Sequence, residues 1–97
     1  MQFNLYIGSN NETGQVDQEI IIRWLTNAFD DFTVIPSIGY YKGKPEASMV
    51  VTIFTDQKDR FFMIEFIKGL AVVLKQESIG MQSVYSDGSN SLDWIMP

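Results

Sequence analysis

Hydrophobic and polar positions alternate from the start of the chain. Phe3, Leu5 and Ile7 are separated by Asn4 and Tyr6, the period of a half-buried strand. A polar loop, Gly8 to Gly14, follows. Asp17 is placed to cap a helix, Glu19 suits its positive first turn, and Val16 with Ile21 can form a hydrophobic staple. On a helical wheel Ile20, Ile21, Trp24, Leu25, Ala28 and Phe29 share one arc, and Glu19, Arg23, Thr26, Asn27 and Asp30 share the other. Asp30-Asp31 breaks the helix. Phe32 to Tyr41 is β-rich with Pro36 at its middle, which predicts an edge strand or a bulge because proline donates no ladder hydrogen bond. Lys42-Gly43-Lys44-Pro45 predicts a turn, and Ala47 to Phe54 a central, almost continuously apolar strand.

Asp56, with Asp59 three positions on, predicts the cap of a second helix running to about Gln76. Phe62, Met63, Phe66, Ile67, Leu70, Val73 and Leu74 form its expected buried stripe. Gly69, at mid-helix, implies close packing on a neighbour. Phe61 and Val72 fall among the wet positions Glu65, Lys68, Lys75 and Gln76; they are a second candidate contact surface, or tuck against the C-terminal strand. Ile79 to Ser86 predicts a strand, Ser86 to Asn90 a turn, and Ser91 to Ile95 a short returning strand.

The order β-α-β-β-α-β plus a C-terminal fifth strand predicts an α+β, ferredoxin-like two-layer sandwich over a single domain, residues 1–97. Its spatial order 4-1-3-2 puts the second strand at an edge, where Pro36 is tolerated. Both helices then cover one face of the sheet. The other face is bare, with Asn4, Tyr6, Gln82 and Tyr40 or Tyr41 as its candidate contact residues. Self-association as a homodimer, or enclosure of a small ligand, would cover it. Base stacking needs a basic frame, and only Lys42 and Lys44 lie near each other.

Composition narrows the chemistry. The chain has 97 residues, with 7 Lys+Arg against 12 Asp+Glu and a formal charge of -5, so nucleic acid is a poor partner and a basic protein surface a better one. Histidine and cysteine are absent. That removes imidazole bases, thiol nucleophiles and disulfides, and no metal site or cofactor is expected. No apolar run is long enough to cross a membrane. The first residues show no basic segment or cleavage site of a signal peptide, which makes the cytoplasm the expected location.

Motifs with chemical content are few. The loop residues Ser9, Asn10, Asn11 and Thr13 can hydrogen-bond a ligand at the sheet end, but the loop lacks the lysine and glycine spacing of a phosphate loop. Asp87-Gly88-Ser89-Asn90 with Asp93 does not match a calcium loop. The pairs Asp30-Asp31 and Asp56/Asp59 sit at helix ends, where burial sufficient for acid–base work is not expected. Tyr6, Tyr40, Tyr41 and Tyr85 offer no single catalytic hydroxyl.

Leu5-Tyr6-Ile7-Gly8, Gly14-x-Val16-Asp17, Phe32-Thr33-Val34, Gly39-Tyr40-Tyr41 and Glu46-x-Ser48 together resemble a family of small bacterial and phage proteins of unknown function with a ferredoxin-like build. Tyrosine stands here where that family usually has tryptophan. The resemblance covers about half the chain and implies no catalytic residues. The small, acidic, Cys- and His-free style also resembles phage accessory proteins that block host defences. The sequence therefore leads to an expectation of a non-enzymatic interaction protein, a phage or mobile-element accessory inhibitor that binds a host protein. The alternatives are a binder that sequesters a small molecule or nucleotide, and a cofactor-free dimeric enzyme.

Overall fold

The chain is seen in a computed structural model that describes residues 1–10 and 12–97; the expected contact residue Asn11 lies outside the described residues. The elements are β1 (Gln2–Ile7), α1 (Gln18–Ala28), β2 (Phe32–Tyr41), β3 (Lys44–Phe54), α2 (Arg60–Leu74), β4 (Ile79–Val84) and β5 (Asn90–Ile95). They form a small α+β domain: one antiparallel sheet, in the order β2-β3-β1-β4-β5, with two helices.

Register decides which side chains meet the helices. Phe3, Leu5 and Ile7 pair with Ile53, Val51 and Met49 of β3, and all six are buried. They form one core with Ile21 and Leu25 of α1 and Met63, Ile67, Leu70, Ala71 and Leu74 of α2. Phe29 of the α1 C-cap meets Phe66 edge-on at a centroid distance of 5.1 Å, and Trp24 meets Phe66 at 5.8 Å, so aromatic rings lock the helix pair. The opposite face carries Asn4, Tyr6, Thr52, Gln82 and their neighbours, and among the described residues no helix covers it.

Pro36 lies in β2 opposite Met49, and β2 is an edge strand, as its lost donor requires. The turn to β3 places Lys42 and Gly43 at φ 51° and 77°, a left-handed pair suited to a tight hairpin. α1 begins as expected: an Asp17 carboxylate oxygen accepts from the Ile20 N–H at 3.1 Å.

The second helix departs from the sequence reading in four ways. Its cap is Asp59, whose carboxylate accepts from the Phe62 N–H at 2.8 Å; Asp56 instead pairs with the N-terminal amine at 3.1 Å. The helix ends at Leu74, where Lys75 turns left-handed at φ 55°. Val73 is exposed rather than buried, because Ala71 takes its place in the stripe. Phe61 and Val72 do not tuck against β5; they stand 72% and 63% exposed on the outer side, and the tie to β5 is an ion pair, Arg60 to Asp93 at 2.7 Å.

Candidate functional site

A chain of side-chain amides spans the bare face. Asn4 Nδ2 donates to Gln82 Oε1 at 2.9 Å, and the Tyr6 hydroxyl donates to the same oxygen at 3.0 Å. Asn4 Oδ1 in turn accepts from Thr52 Oγ1 at 2.9 Å and Gln2 Nε2 at 3.1 Å. Register produces this cluster, since Asn4 sits between Thr52 on β3 and Gln82 on β4. The sequence-predicted trio Asn4, Tyr6 and Gln82 is thus one bonded unit.

Beside it the face sinks into a trough of about 390 Å³, lined by Tyr6, Gly8, Ser37, Gly39, Tyr40, Tyr41, Glu46, Ser48, Val50 and Trp94 among others. Two glycines help to shape it. Gly39, opposite Glu46, puts no side chain into the trough, and Gly80, between Tyr6 and Trp94 in the register, leaves room for the Trp94 ring. Tyr40 and Tyr41 are 74% and 64% exposed, because the β2–β3 hairpin overhangs the rest of the sheet.

Glu46 is the acidic residue of the trough. Its Oε2 accepts from Ser9 Oγ at 3.3 Å. Ser9 is itself held from the helix layer, its carbonyl accepting from Gln76 Nε2 at 2.7 Å. The turn that ends α2 at Lys75 brings Gln76 there. Ser9 is therefore a buried link between the end of α2 and the trough, rather than the free loop hydroxyl expected from sequence.

Asn10 and Thr13, the other described candidate residues of the loop, are occupied locally, Thr13 Oγ1 accepting from the Gln15 N–H at 3.2 Å. Asn10 Oδ1 accepts from the Glu12 N–H at 2.7 Å, and the Asn10 backbone exchanges bonds with Gly14 and Gln15. A second cavity of about 430 Å³ lies under this loop, against Asn10, Thr13, Gln15, Asp17 and Gln76. Among the described residues its one carboxylate is Asp17, which caps α1, and none of its lining is aromatic. The trough is the better-equipped of the two, with aromatic surface and a carboxylate together.

Titration elsewhere is structural. The Asp93 carboxylate, by hydrogen bond and charge, raises the Arg60 guanidinium above its already high range. The Ser89 hydroxyl and N–H hold Asp87 below the usual carboxylate range, which fastens the β4–β5 turn. Among the described residues no group of acidic side chains could hold a metal ion, and no helix is long and apolar enough to cross a membrane.

Fold and site together define a class: a small α+β domain whose uncovered sheet face carries an aromatic trough with a carboxylate at its edge. No protein-family profile and no curated protein matches the sequence. Solved structures do match. The chain is similar to a phage SAM lyase in its apo state, with a TM-score of 0.70 and 19% identity over 99% of this chain and 88% of that one. It is also similar to a phage SAM lyase in complex with S-methyl-5′-thioadenosine, with a TM-score of 0.64 and 15% identity over the same shares.

These likenesses correct the functional expectation. Two solved structures similar to this chain over 99% of its length are of a phage SAM lyase, one of them in complex with S-methyl-5′-thioadenosine. The reading as a non-enzymatic inhibitor working by protein–protein interaction is thereby overturned, and with it the expectation that the chain is not an enzyme. Hydrophobic periodicity alone does not mark Glu46 as an acid of the site, Trp94 as a wall of the trough, or Gln76 as a structural link. Glu46-x-Ser48 and the Gly80–Trp94 register were the signals that could have found the first two.

Proposed function

We propose that this chain is a cofactor-free lyase of S-adenosylmethionine or a close sulfonium analogue, working in the trough between Glu46 and Trp94. The carrying observation is the pairing of a carboxylate with several aromatic rings on a bare sheet face, in a fold shared with phage SAM lyase. A sulfonium is a permanent cation. Aromatic faces attract it through the ring quadrupole, and an anionic carboxylate attracts it by charge, both more strongly when water is displaced.

Formation of S-methyl-5′-thioadenosine requires the bond between sulfur and the amino-acid Cγ to break, with its electrons passing to sulfur. A lyase step needs no water. The four-carbon fragment either loses a proton or closes onto its own carboxylate. With no histidine or cysteine in the chain, the acceptor for a proton in the trough is Glu46 or the substrate's own carboxylate.

The experiment is direct: purified protein is incubated with S-adenosylmethionine and the products are separated by liquid chromatography and mass. Release of S-methyl-5′-thioadenosine that falls at least tenfold in Glu46→Gln is the expected result. Unchanged S-adenosylmethionine after incubation with the wild-type protein would overturn the reading.

The strand order β2-β3-β1-β4 supports a ferredoxin-like sandwich with β5 added at one edge. Self-association is a further proposal: Ile35, Phe54 and Leu92 are each at least half exposed, and sedimentation velocity would detect the copies they bring together.

A further inference from the structure

Trp94 and Gly80 face each other across β4 and β5. A Cβ placed on Gly80 would stand 3.0 Å from Trp94 Cζ3 and 3.3 to 3.4 Å from Cη2 and Cε3. The six-membered ring of the indole is therefore seated on the bare glycine backbone, and Gly80 is buried beneath it. Trp94 is nonetheless 62% exposed. A large aromatic surface, supported from below by main chain, is left open to the trough.

We infer that Trp94 is the base-stacking residue of the site, receiving the adenine of the nucleoside on the exposed side of its ring. The assignment rests on the proposed function and deepens it. Three features carry it. The ring already rests on the main chain of Gly80, so one of its faces is covered and the other is held open in advance. Tyr6 flanks Gly80 on the neighbouring strand, which gives a purine a second aromatic edge. Glu46 lies elsewhere in the same trough, so the sulfonium and the base of one ligand can engage a carboxylate and an aromatic plane respectively. Stacking of this kind tolerates any flat ring, and specificity for the base would come from its edges.

The chain has two tryptophans, and they are in different settings: Trp24 is packed against Gly69 in the helix layer. Intrinsic fluorescence can therefore report on Trp94 alone. The probe is S-methyl-5′-thioadenosine, added to Trp24→Phe and to the wild-type protein, with binding measured in parallel by equilibrium dialysis. The expected result is saturable quenching of Trp94 emission, no quenching by 5-methylthioribose, which lacks the base, and binding weakened about tenfold in Trp94→Ala with most of it restored in Trp94→Tyr. Where Trp24→Phe does not fold, the difference in quenching between wild type and Trp94→Phe supplies the same readout.

Binding with unchanged Trp94 emission, or equal affinity in Trp94→Ala, overturns the assignment alone. Absence of any binding to the wild-type protein overturns the proposed function as well. Trp94 emission that changes with protein concentration and not with the nucleoside shows a second copy on the ring, and also overturns the assignment.

Discussion

The side chain of Gln76 grips the main chain of Ser9, its Nε2 donating to the Ser9 carbonyl at 2.7 Å. This bond crosses from the end of α2 to the end of β1, and Ser9 passes the restraint on to Glu46. Loss of one such half-buried bond costs about 1 kcal/mol. Gln76→Ala is expected to lower stability by that order and to reduce formation of S-methyl-5′-thioadenosine several-fold. Gln76→Glu turns a donor into an acceptor facing a carbonyl and should be at least as damaging. Thermal melts read the first effect and a product assay the second; wild-type turnover in both variants would remove Gln76 from the support of the site.

Gly69 is a second close approach. A Cβ there would lie 3.1 Å from two atoms of the Trp24 ring. That ring is held edge-on by Phe66. Helix propensity favours alanine over glycine by about 1 kcal/mol, while overpacking costs about 1–3 kcal/mol. Gly69→Ala is therefore expected to be destabilising by about 1 kcal/mol, read as a lower urea midpoint. An increase in the midpoint would mean that Trp24 yields freely.

Ser83 is fully buried, and its hydroxyl makes no hydrogen bond. It lies opposite Ser91, whose hydroxyl is likewise unpaired. A buried polar group without a partner opposes folding. Ser83→Ala is expected to stabilise the protein by about 1 kcal/mol in chemical denaturation. A loss of stability would show that the hydroxyl has a partner in solution.

The β4–β5 turn should respond to acid. Asp87 is held below the ordinary carboxylate range by Ser89, so its contribution to the turn is present above that range and disappears as pH falls through the lowered value. Amide resonances of Tyr85 to Ser89 should stay fixed through the pH interval in which exposed carboxylates titrate, then shift at lower pH. In Ser89→Ala the shift should move up toward the ordinary range. Identical titration curves for the two proteins would refute the link.

Much of the architecture was legible because local oddities agreed with global topology. Pro36 predicted an edge, and the edge is where β2 lies. The start of α2 was misread for a physical reason. Asp56 and Asp59 are both able to cap, but Thr55 Oγ1 accepts from the Gln57 and Lys58 N–H groups at 3.2 and 3.3 Å, closing a turn that delays the helix to Asp59. On the site side, strand alternation was enough to place Asn4, Tyr6 and Gln82 on one face. It could not find Glu46, whose partner Ser9 is 37 residues away, or the seat of Trp94, which exists only because the residue across the ladder is a glycine.

The proline of β2 has a last consequence, for the fate of the molecule in crowded solution. An outermost strand ten residues long is a template on which further strands could grow into fibrils. Pro36 removes a main-chain donor near the centre of that template, so a ladder extended outward from it would be interrupted where it most needs to be continuous. Replacement of this residue by threonine would repair the template, and the repaired protein should form thioflavin-positive aggregates sooner than its parent.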